Sequence, residues 1–532
     1  LIGDSIQLAA AITDNNIPIQ PDGTTQQLNE FDKILLQFKK KNWQIDLGDI
    51  DIRQQQYYFL NFYKRLQGAS YQSFNQKNKF LVSGAIAKGK FVRNVFQGQE
   101  GNQGPYRLQG SNNEFYMIVL AGTEKVFIDG EQMQRGEDQD YVINYNTGEI
   151  TFTQKRMITK DKRIQVEFEY ADRNYLNSML FVSNETTINK KLAINIAAYT
   201  NADSKNSTIN QSLNTEQKQF LANLGDDIQN AFYKTGVLDS FSTSKILYAK
   251  RVNPVNASWD SIYVYSTNKD SAKYSVSFTE VGANKGNYIP YFNGANGKVY
   301  QFIAPVNGVP QGNFEAAYYL VTPKKQQIVT LNSIYNINRK TILTTDIALS
   351  SYDVNTFSTK DKGNNNGYAA KFVLSRKDEL RNKQQLNSLI SYEFVDEKFK
   401  PIERLRAVEF ARDWGLSILT NTVTEHLPKA SVEWRNDSKA SFFKYNIDGY
   451  LRSDGFNAVR NNFSIASQQT DKLIKYKWDA ASAINTTPIG KGNFLKSYGE
   501  VLIGNTKQSQ QQVGIISGYE NNQQKISLTD TL

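Results

Sequence analysis

The sequence has 532 residues, a formal net charge of +10, no cysteine and a single histidine, and its mean hydropathy is −0.54. The absence of cysteine excludes disulfides, thiolate metal sites and cysteine nucleophiles, and no apolar run reaches the roughly 18 residues of a helical membrane span. Lysine and arginine are spread along the chain, with one tight run at 39–41. They favour a polar interior and contacts with anionic lipid headgroups, and nucleic acid is not predicted as a partner.

The clearest pattern is an alternation of apolar and polar side chains over segments of about ten residues. In residues 442–452 the apolar face carries Phe443, Tyr445, Ile447, Gly449 and Leu451. The polar face carries Lys444, Asn446, Asp448, Tyr450 and Arg452. Many such segments, with aromatic residues near their ends and polar turns between them, predict an all-β fold. We expect a transmembrane antiparallel β-barrel with lipid outside and water inside.

Residues 1–101 are predicted to form the first barrel strands, about six of them. Residues 81–84 and 91–96 are predicted to pair as a hairpin around a turn at Lys88–Lys90. Residues 15–27 are rich in proline, glycine and asparagine and predict a loop.

Residues 102–172 differ in character, and a glycine- and proline-rich stretch opens them. Their strands are shorter and more continuously apolar, and tight turns are indicated by Asp129-Gly130 and Thr147-Gly148. This pattern predicts a small β-sandwich with its own core, inserted between barrel strands as a plug-like domain.

The barrel pattern returns at residues 173–201. Residues 202–330 are predicted to be long loop modules with interspersed barrel strands, and they include a helix near 214–233 and a small β-module at 250–330. Residues 331–532 show the barrel pattern again. The first and last residues fall within strand patterns, which predicts that the sequence is an internal piece of a longer protein.

The predicted helix has a capping residue, Asn214, and an apolar face. That face consists of Phe220, Leu221, Leu224, Ile228 and Phe232. It could dock on a partner protein or pack within its own loop module.

A dense mixed-charge stretch lies just before Trp414. It contains Glu403, Arg404, Arg406, Glu409, Arg412 and Asp413. In a barrel such charges face the lumen or a turn and pair with one another. The stretch is a candidate lumen or gate network, and a purely structural charge network is the alternative.

Chemical catalysis is not predicted. The single histidine, His426, would have to serve as the base of any serine hydrolase, and no other histidine or cysteine could bind a metal. The sequence therefore indicates no enzyme, no cofactor and no catalytic or metal-binding residue.

Several stretches carry a family resemblance, namely residues 12–28, 98–110, 118–170, 296–314 and 399–414. They resemble a group of large outer-membrane β-barrel proteins of Bacteroidota. The block at 98–170 is also similar in style, more distantly, to the translocon barrel of the type IX secretion and gliding system. The resemblance implies the Gram-negative outer membrane and a barrel fold, and it assigns no chemistry to any residue.

Two functions are favoured at this point, ahead of a soluble polysaccharide-binding β-protein. The first is a channel or translocon-type pore whose inserted domain fills the lumen, with a layout similar to that of fimbrial ushers. The second is a non-conducting scaffold or surface-binding protein whose loops bind a protein or a glycan. On the order of 14–20 strands are expected, which favours a channel. Outer-membrane lipid, lipopolysaccharide and other envelope or secretion proteins are the expected partners.

Overall fold

The computed structural model describes residues 7–13, 33–86, 89–110, 117–171, 174–209, 211–252, 261–292, 297–381, 383–416, 422–436, 440–467, 474–504 and 513–526. The predicted loop at 15–27 lies outside them. The chain forms two compact units. The first comprises residues 1–204, 325–353 and 363–532, and the second comprises 205–324 and 354–362. None of the described helices is long and apolar enough to cross a membrane.

One large antiparallel sheet dominates the first unit, and within the described residues it has 17 strands. The strands are Gln7–Thr13, Lys33–Lys40, Trp43–Gln54, Phe62–Phe74, Asn78–Ile86, Tyr175–Thr187, Leu192–Thr208, Lys325–Asn336, Thr341–Asp353, Asn366–Leu380, Gln384–Val395, Glu425–Asn436, Ser441–Arg452, Asn457–Ser467, Ile474–Thr487, Gly490–Ile503 and Val513–Ile526. Successive strands of this series pair with one another. The all-β class is confirmed.

The two faces of this sheet differ in polarity. In the strand Ser441–Arg452, Tyr445, Ile447 and Leu451 are 40%, 44% and 42% exposed. On the opposite face Asp448 and Arg452 are only 5% and 8% exposed. The alternation predicted for this strand is confirmed. We call the exposed side of the sheet the outer face and the buried side the covered face. In the earlier strands the covered face also buries apolar side chains, such as Phe62 and Phe181.

The same division runs through the neighbouring strands. The outer face exposes Val329, Leu331, Ile347, Leu349, Tyr368, Phe372, Leu374, Ile390 and Tyr392. The covered face buries Thr330, Asn332, Asp346, Ser350 and Glu393. Since directly opposed residues of paired strands share a face, the register joins each set into a continuous surface.

The connections between strands are unequal at the two ends of the sheet. At one end, called the short-turn end, they are the turns 41–42, 75–77, 188–191, 337–340, 381–383 and 437–440, followed by the longer connections 468–473 and 504–512. At the other, long-connection end they include 14–32, 87–174, 209–324, 354–365 and 396–424. The last two connections at that end, 453–456 and 488–489, are short.

Residues 90–170, called the module, form two small sheets around one core. The first sheet contains Lys90–Gln97, Arg163–Tyr170, Lys125–Ile128 and Glu131–Gln132, in that spatial order. The second contains Tyr141–Asn144, Glu149–Phe152 and Tyr106–Arg107. Val126, Ile150, Ile164 and Phe168 are fully buried between them.

The predicted start of this region at residue 102 is too late. The strand Lys90–Gln97 pairs with Arg163–Tyr170 inside the module, while Asn78–Ile86 pairs with Tyr175–Thr187 in the main sheet. The predicted hairpin between residues 81–84 and 91–96 is therefore wrong. Val92 and Phe96 pack against the module core, and that long-range burial determines the pairing.

Among its described residues the second unit contains one helix, Thr215–Leu224, a 3₁₀ turn at Ile228–Asn230, and short strands. The strands are Phe232–Lys234, Val237–Leu238, Tyr248–Arg251, Ile262–Tyr265, Tyr274–Ser275, Thr279–Glu280, Tyr288–Tyr291, Val299–Phe302, Phe314–Glu315 and Ala317–Tyr319. They form one two-stranded and two four-stranded sheets. A small β-module in 250–330 was expected, but its strands begin earlier, and the main-sheet strand expected from residue 331 begins at Lys325.

The helix is shorter than predicted. Asn214 caps it as expected, since its side chain accepts a hydrogen bond from the Gln217 N–H and a reciprocal bond completes a capping box. It ends at Leu224 because Gly225, at φ 67°, turns the chain out of the helix. Phe232, predicted on the helix face, lies in a strand instead.

Candidate functional site

All six charged residues of the predicted network lie on one connection, residues 396–424, between two neighbouring strands of the main sheet. The structure describes it as far as residue 416, and we call residues 396–416 the strap. The strap begins with a buried anchor, Phe399, and contains a short helix at Phe410–Asp413. Its charged side chains bind groups on the covered face and on the module, and these contacts define the candidate site.

Arg406 bridges two carboxylates of the sheet. Its guanidinium binds Glu393 and donates to Glu425 at 2.5 Å, and all three side chains are largely buried. Glu393 also pairs with Lys371 at 3.2 Å, while the ring of Phe410 lies 5.0 Å from the Arg406 guanidinium. Burial alone would lower the pKa of Arg406, but the two carboxylates outweigh it and raise the pKa above its ordinary value.

The strap also contacts the module. Arg404 lies 3.5 Å from the buried carboxylate of Glu167, and Glu409 binds the guanidinium of Arg163. Gly130 has a φ of 85°, and the side chain of Glu409 lies close to it. A Cβ at this position would overlap the Cγ of Glu409. Arg404 and Glu409 of the strap thus form ion pairs with Glu167 and Arg163, which lie on the same strand of the module.

The far end of the strap is tied to later strands of the sheet. Arg412 binds Glu520 and pairs with Glu409 at 3.1 Å, and Asp413 pairs with Arg460 at 3.4 Å. Burial raises the pKa of the Asp413 carboxyl, an effect that neighbouring cations such as Arg460 only partly offset. This end of the strap therefore contacts strands other than the two that it connects.

Trp414, near the end of the strap, packs against the sheet. Its side chain is 1% exposed, and its ring lies 5.3 Å from that of Tyr450 and 4.7 Å from the guanidinium of Arg460. The side-chain amide of Asn485 donates to the Trp414 carbonyl at 2.9 Å. Aromatic packing and hydrogen bonds thus support the neighbouring ion pairs.

Glu403 makes a simpler contact. It accepts a hydrogen bond from the Tyr63 N–H at 3.0 Å, and burial raises the pKa of its carboxyl. The six predicted residues do not form one cluster. They form separate ion pairs and hydrogen bonds, some with residues of the sheet and some with residues of the module, and we call these contacts ties. A gating role for these ties stays a prediction.

Two further ties join the module to the sheet, and sequence reasoning missed them. Lys64, 5% exposed, pairs with Glu169 at 2.8 Å. Lys90 pairs with Asp203 at 3.1 Å, and Asn177 donates to the same Asp203 at 2.8 Å. No local signal pointed to these contacts, since Lys64 shares its face of the strand with Phe62 and Leu66, and the face of a residue does not identify its partner.

Replacing Gly367 with alanine should displace the start of the strap. A Cβ at this position would overlap the backbone of Lys398 and Phe399, which cannot move as a flexible side chain could. We expect the free energy of unfolding to fall by about 1–3 kcal/mol. Hydrogen exchange of the strap amides should also become faster.

The matched control is Gly84→Ala, a strand glycine whose added Cβ would have no neighbour within 4 Å. Its effect should stay within about 0.5 kcal/mol. Equal effects of the two substitutions would contradict the close contact between Gly367 and the strap.

The predicted docking face of the helix packs within the second unit. Leu221 is fully buried, and Phe220 and Leu224 pack against the same cluster as Leu320. Ile228 lies in the 3₁₀ turn, where its carbonyl accepts a hydrogen bond from a tyrosine hydroxyl. The side chains of Phe220, Leu221 and Leu224 therefore belong to the internal core, and docking of this face on a partner stays a prediction.

The comparisons with known proteins concern mainly the module. Residues 91–172 match a family described as a domain of unknown function (DUF8818). This range agrees with the module boundary at Lys90, since it includes nearly all of the strand that sequence reasoning assigned to the barrel. No curated protein matches the chain. The match covers a minor part of the 532 residues.

Proposed function

We propose that this chain is an outer-membrane β-barrel that acts as a channel or translocon-type pore, with the module as a plug-like domain and no chemical catalysis. The observation that carries the proposal is the inverted polarity of the main sheet. In water, an antiparallel sheet buries its apolar face and exposes its polar one. In the strands between Lys325 and Arg452 the apolar face is exposed and the charged face is buried, which is the arrangement that lipid outside and polar groups inside require.

The size of the exposed apolar surface supports the proposal. Ile390 and Leu349 are 64% and 60% exposed, and Leu349 lies between Val329 and Tyr368, both also exposed. Soluble monomers rarely expose contiguous apolar patches larger than a few hundred Å². A surface that continues from strand to strand is better explained by contact with hydrocarbon.

The covered face supports the pore and the plug. Barrels of about 16–18 strands are wide enough to leave a channel, and this sheet has 17 strands among its described residues. The module and the strap bind charged groups on the covered face through Lys64, Arg406 and Arg460. A plug needs such ties because it must remain inside the barrel until a substrate or partner displaces it.

The unequal connections support an orientation. Outer-membrane barrels have short periplasmic turns and longer extracellular loops. We therefore propose that the short-turn end faces the periplasm and that the long-connection end faces the exterior, in a Bacteroidota-type outer membrane. Lipid, lipopolysaccharide and other envelope or secretion proteins are the proposed partners.

Replacing residues 90–170 of the full-length protein with a short Gly/Ser linker should turn a silent barrel into a large, steady pore in planar bilayers. The strands Asn78–Ile86 and Tyr175–Thr187 pair directly, so the sheet can persist without the module. The matched control replaces residues 209–324, which also lie between paired strands, and it should stay silent.

A deletion variant that inserts and folds but remains silent would argue against the pore. The non-conducting scaffold would then be favoured. One observation in the second unit fits that alternative, because Phe292 and Tyr291 are 97% and 48% exposed beside one another. Exposed aromatic side chains of this kind suit contact with a protein or a glycan.

A further inference from the structure

The short-turn end of the sheet carries a concentration of exposed positive charge. Its first five turns, with the lysines just before the first, contain Lys39, Lys40, Lys41, Lys77, Lys190, Lys191, Arg339, Lys340, Arg381 and Lys383, all of them exposed. The described residues of these turns include no aspartate or glutamate. We call residues 39–42, 75–77, 188–191, 337–340 and 381–383 the basic rim.

The turns of the basic rim have similar local structure. In each of three turns an asparagine side chain accepts two backbone N–H groups, and these residues are Asn75, Asn189 and Asn338. This turn geometry directs the chain back into the next strand and leaves the adjoining lysines in solvent.

Neighbouring turns are also joined to one another. The amides of Phe74, Thr187, Asn336 and Lys377 donate to the carbonyls of Asn42, Lys77, Lys191 and Lys340 at 2.7–2.9 Å. Each of these hydrogen bonds connects one hairpin to the next, so the turns that carry the cations form one continuous edge of the sheet. Adjacent strands are about 4.8 Å apart, which spaces neighbouring hairpins by about 10 Å.

Nearby carboxylates leave most of this charge uncompensated. Glu185 lies 3.9 Å from Lys79, which is not a rim residue. Asp378 binds Arg376 at 2.7 Å and Lys340 at 3.1 Å. The other rim cations have no ion pair with a described carboxylate within 4.0 Å.

Exposed apolar residues border the rim. Ile188 and Ile337 are 50% and 43% exposed, and each comes directly before the asparagine of its turn. The exposed rings of Tyr71 and Tyr335 lie near the same ends of their strands. Cations next to an apolar belt and its aromatic border stand at the depth of lipid phosphates.

We infer that the basic rim binds the phosphate groups of anionic phospholipid, such as phosphatidylglycerol, in the leaflet that faces the short-turn end. The inference rests on the proposed function, since it requires the outer face to lie in a bilayer. Lipopolysaccharide occupies the opposite leaflet in the proposed orientation, so phospholipid is the occupant to which the rim is exposed. The rim would hold the barrel at a fixed depth and select its neighbouring lipids.

The test uses the chain in phosphatidylcholine vesicles, with flotation measured first. Spin-labelled phosphatidylglycerol and phosphatidylcholine then report by electron paramagnetic resonance which lipid the protein surface prefers. The rim variant combines Lys41→Gln, Lys190→Gln, Lys191→Gln and Arg339→Gln. We expect it to insert normally while its preference for phosphatidylglycerol falls by about a factor of two or more. High salt should reduce the preference of the unaltered protein in the same way.

The matched control removes the same charge from the second unit, through Lys250→Gln, Arg251→Gln, Lys269→Gln and Lys285→Gln, all exposed positions. It should keep the preference. Normal insertion with equal preference in both variants would overturn the inference and leave the proposed function standing. Failure of the unaltered chain to float would overturn both. A rim variant that loses binding only to vesicles containing lipopolysaccharide would overturn the assignment to phospholipid.

Discussion

Replacing Ile390 with lysine should lower the free energy of unfolding in a lipid bilayer by about 2–4 kcal/mol. Ile390 is 64% exposed on the outer face and pairs with Leu374 and Ala430 in the middle of neighbouring strands. At an exposed site in water the same change would stay within about 0.5 kcal/mol. The cost arises because a charge at this depth must leave water, so the substitution distinguishes lipid from solvent at the outer face.

The measurement is a reversible denaturant titration of folding into phospholipid vesicles. The matched control is Val237→Lys, since Val237 is 69% exposed in the second unit and should tolerate the charge. A fully stable, fully water-soluble Ile390→Lys protein would contradict the membrane proposal. That outcome would require another protein to cover the outer face.

Replacing Arg406 with methionine is expected to cost about 3–5 kcal/mol. The substitution keeps much of the side-chain volume but leaves Glu393 and Glu425 buried without their shared cation. Lys371 remains beside Glu393 and compensates only one of the two carboxylates. Thermal or denaturant unfolding measures the cost, and under the proposed function bilayer recording should show frequent openings because the strap holds the module less firmly.

The control neutralises the whole group in the triple variant Arg406→Met, Glu393→Gln, Glu425→Gln. Replacing every member of a buried ionic group is far less costly than removing one. Most of the lost stability should therefore return. If the single variant is as stable as the unaltered protein, Arg406 does not stabilise the strap through these carboxylates.

Sequence reasoning predicted the features that depend on local periodicity. Alternation in residues 442–452 assigned Tyr445 and Ile447 to one face and Asp448 and Arg452 to the other, and the burial of these side chains agrees. The N-terminus of the helix was predicted because a cap such as Asn214 acts through residues three positions away. In both cases the residues that determine the local structure lie within a few positions of it in the sequence.

Pairing over long distances was not predictable in the same way. The strand Lys90–Gln97 pairs with residues more than sixty positions later, and nothing in its own sequence distinguishes that partner from the nearer Asn78–Ile86. The strap was identified as a charged network, but its partners, such as Glu520, lie on strands that the fold brings to it. Their identity depends on the register of the whole sheet.

The direct pairing beneath the module has a consequence for the evolution of the protein. Ile86 and Ser178 are opposed in the main sheet, so the chain leaves and re-enters the sheet at adjacent positions. Any domain whose two ends lie a strand spacing apart could be accommodated there without a change of register. The main sheet can therefore accept a different domain at this position while the pairing of the strands on either side is kept.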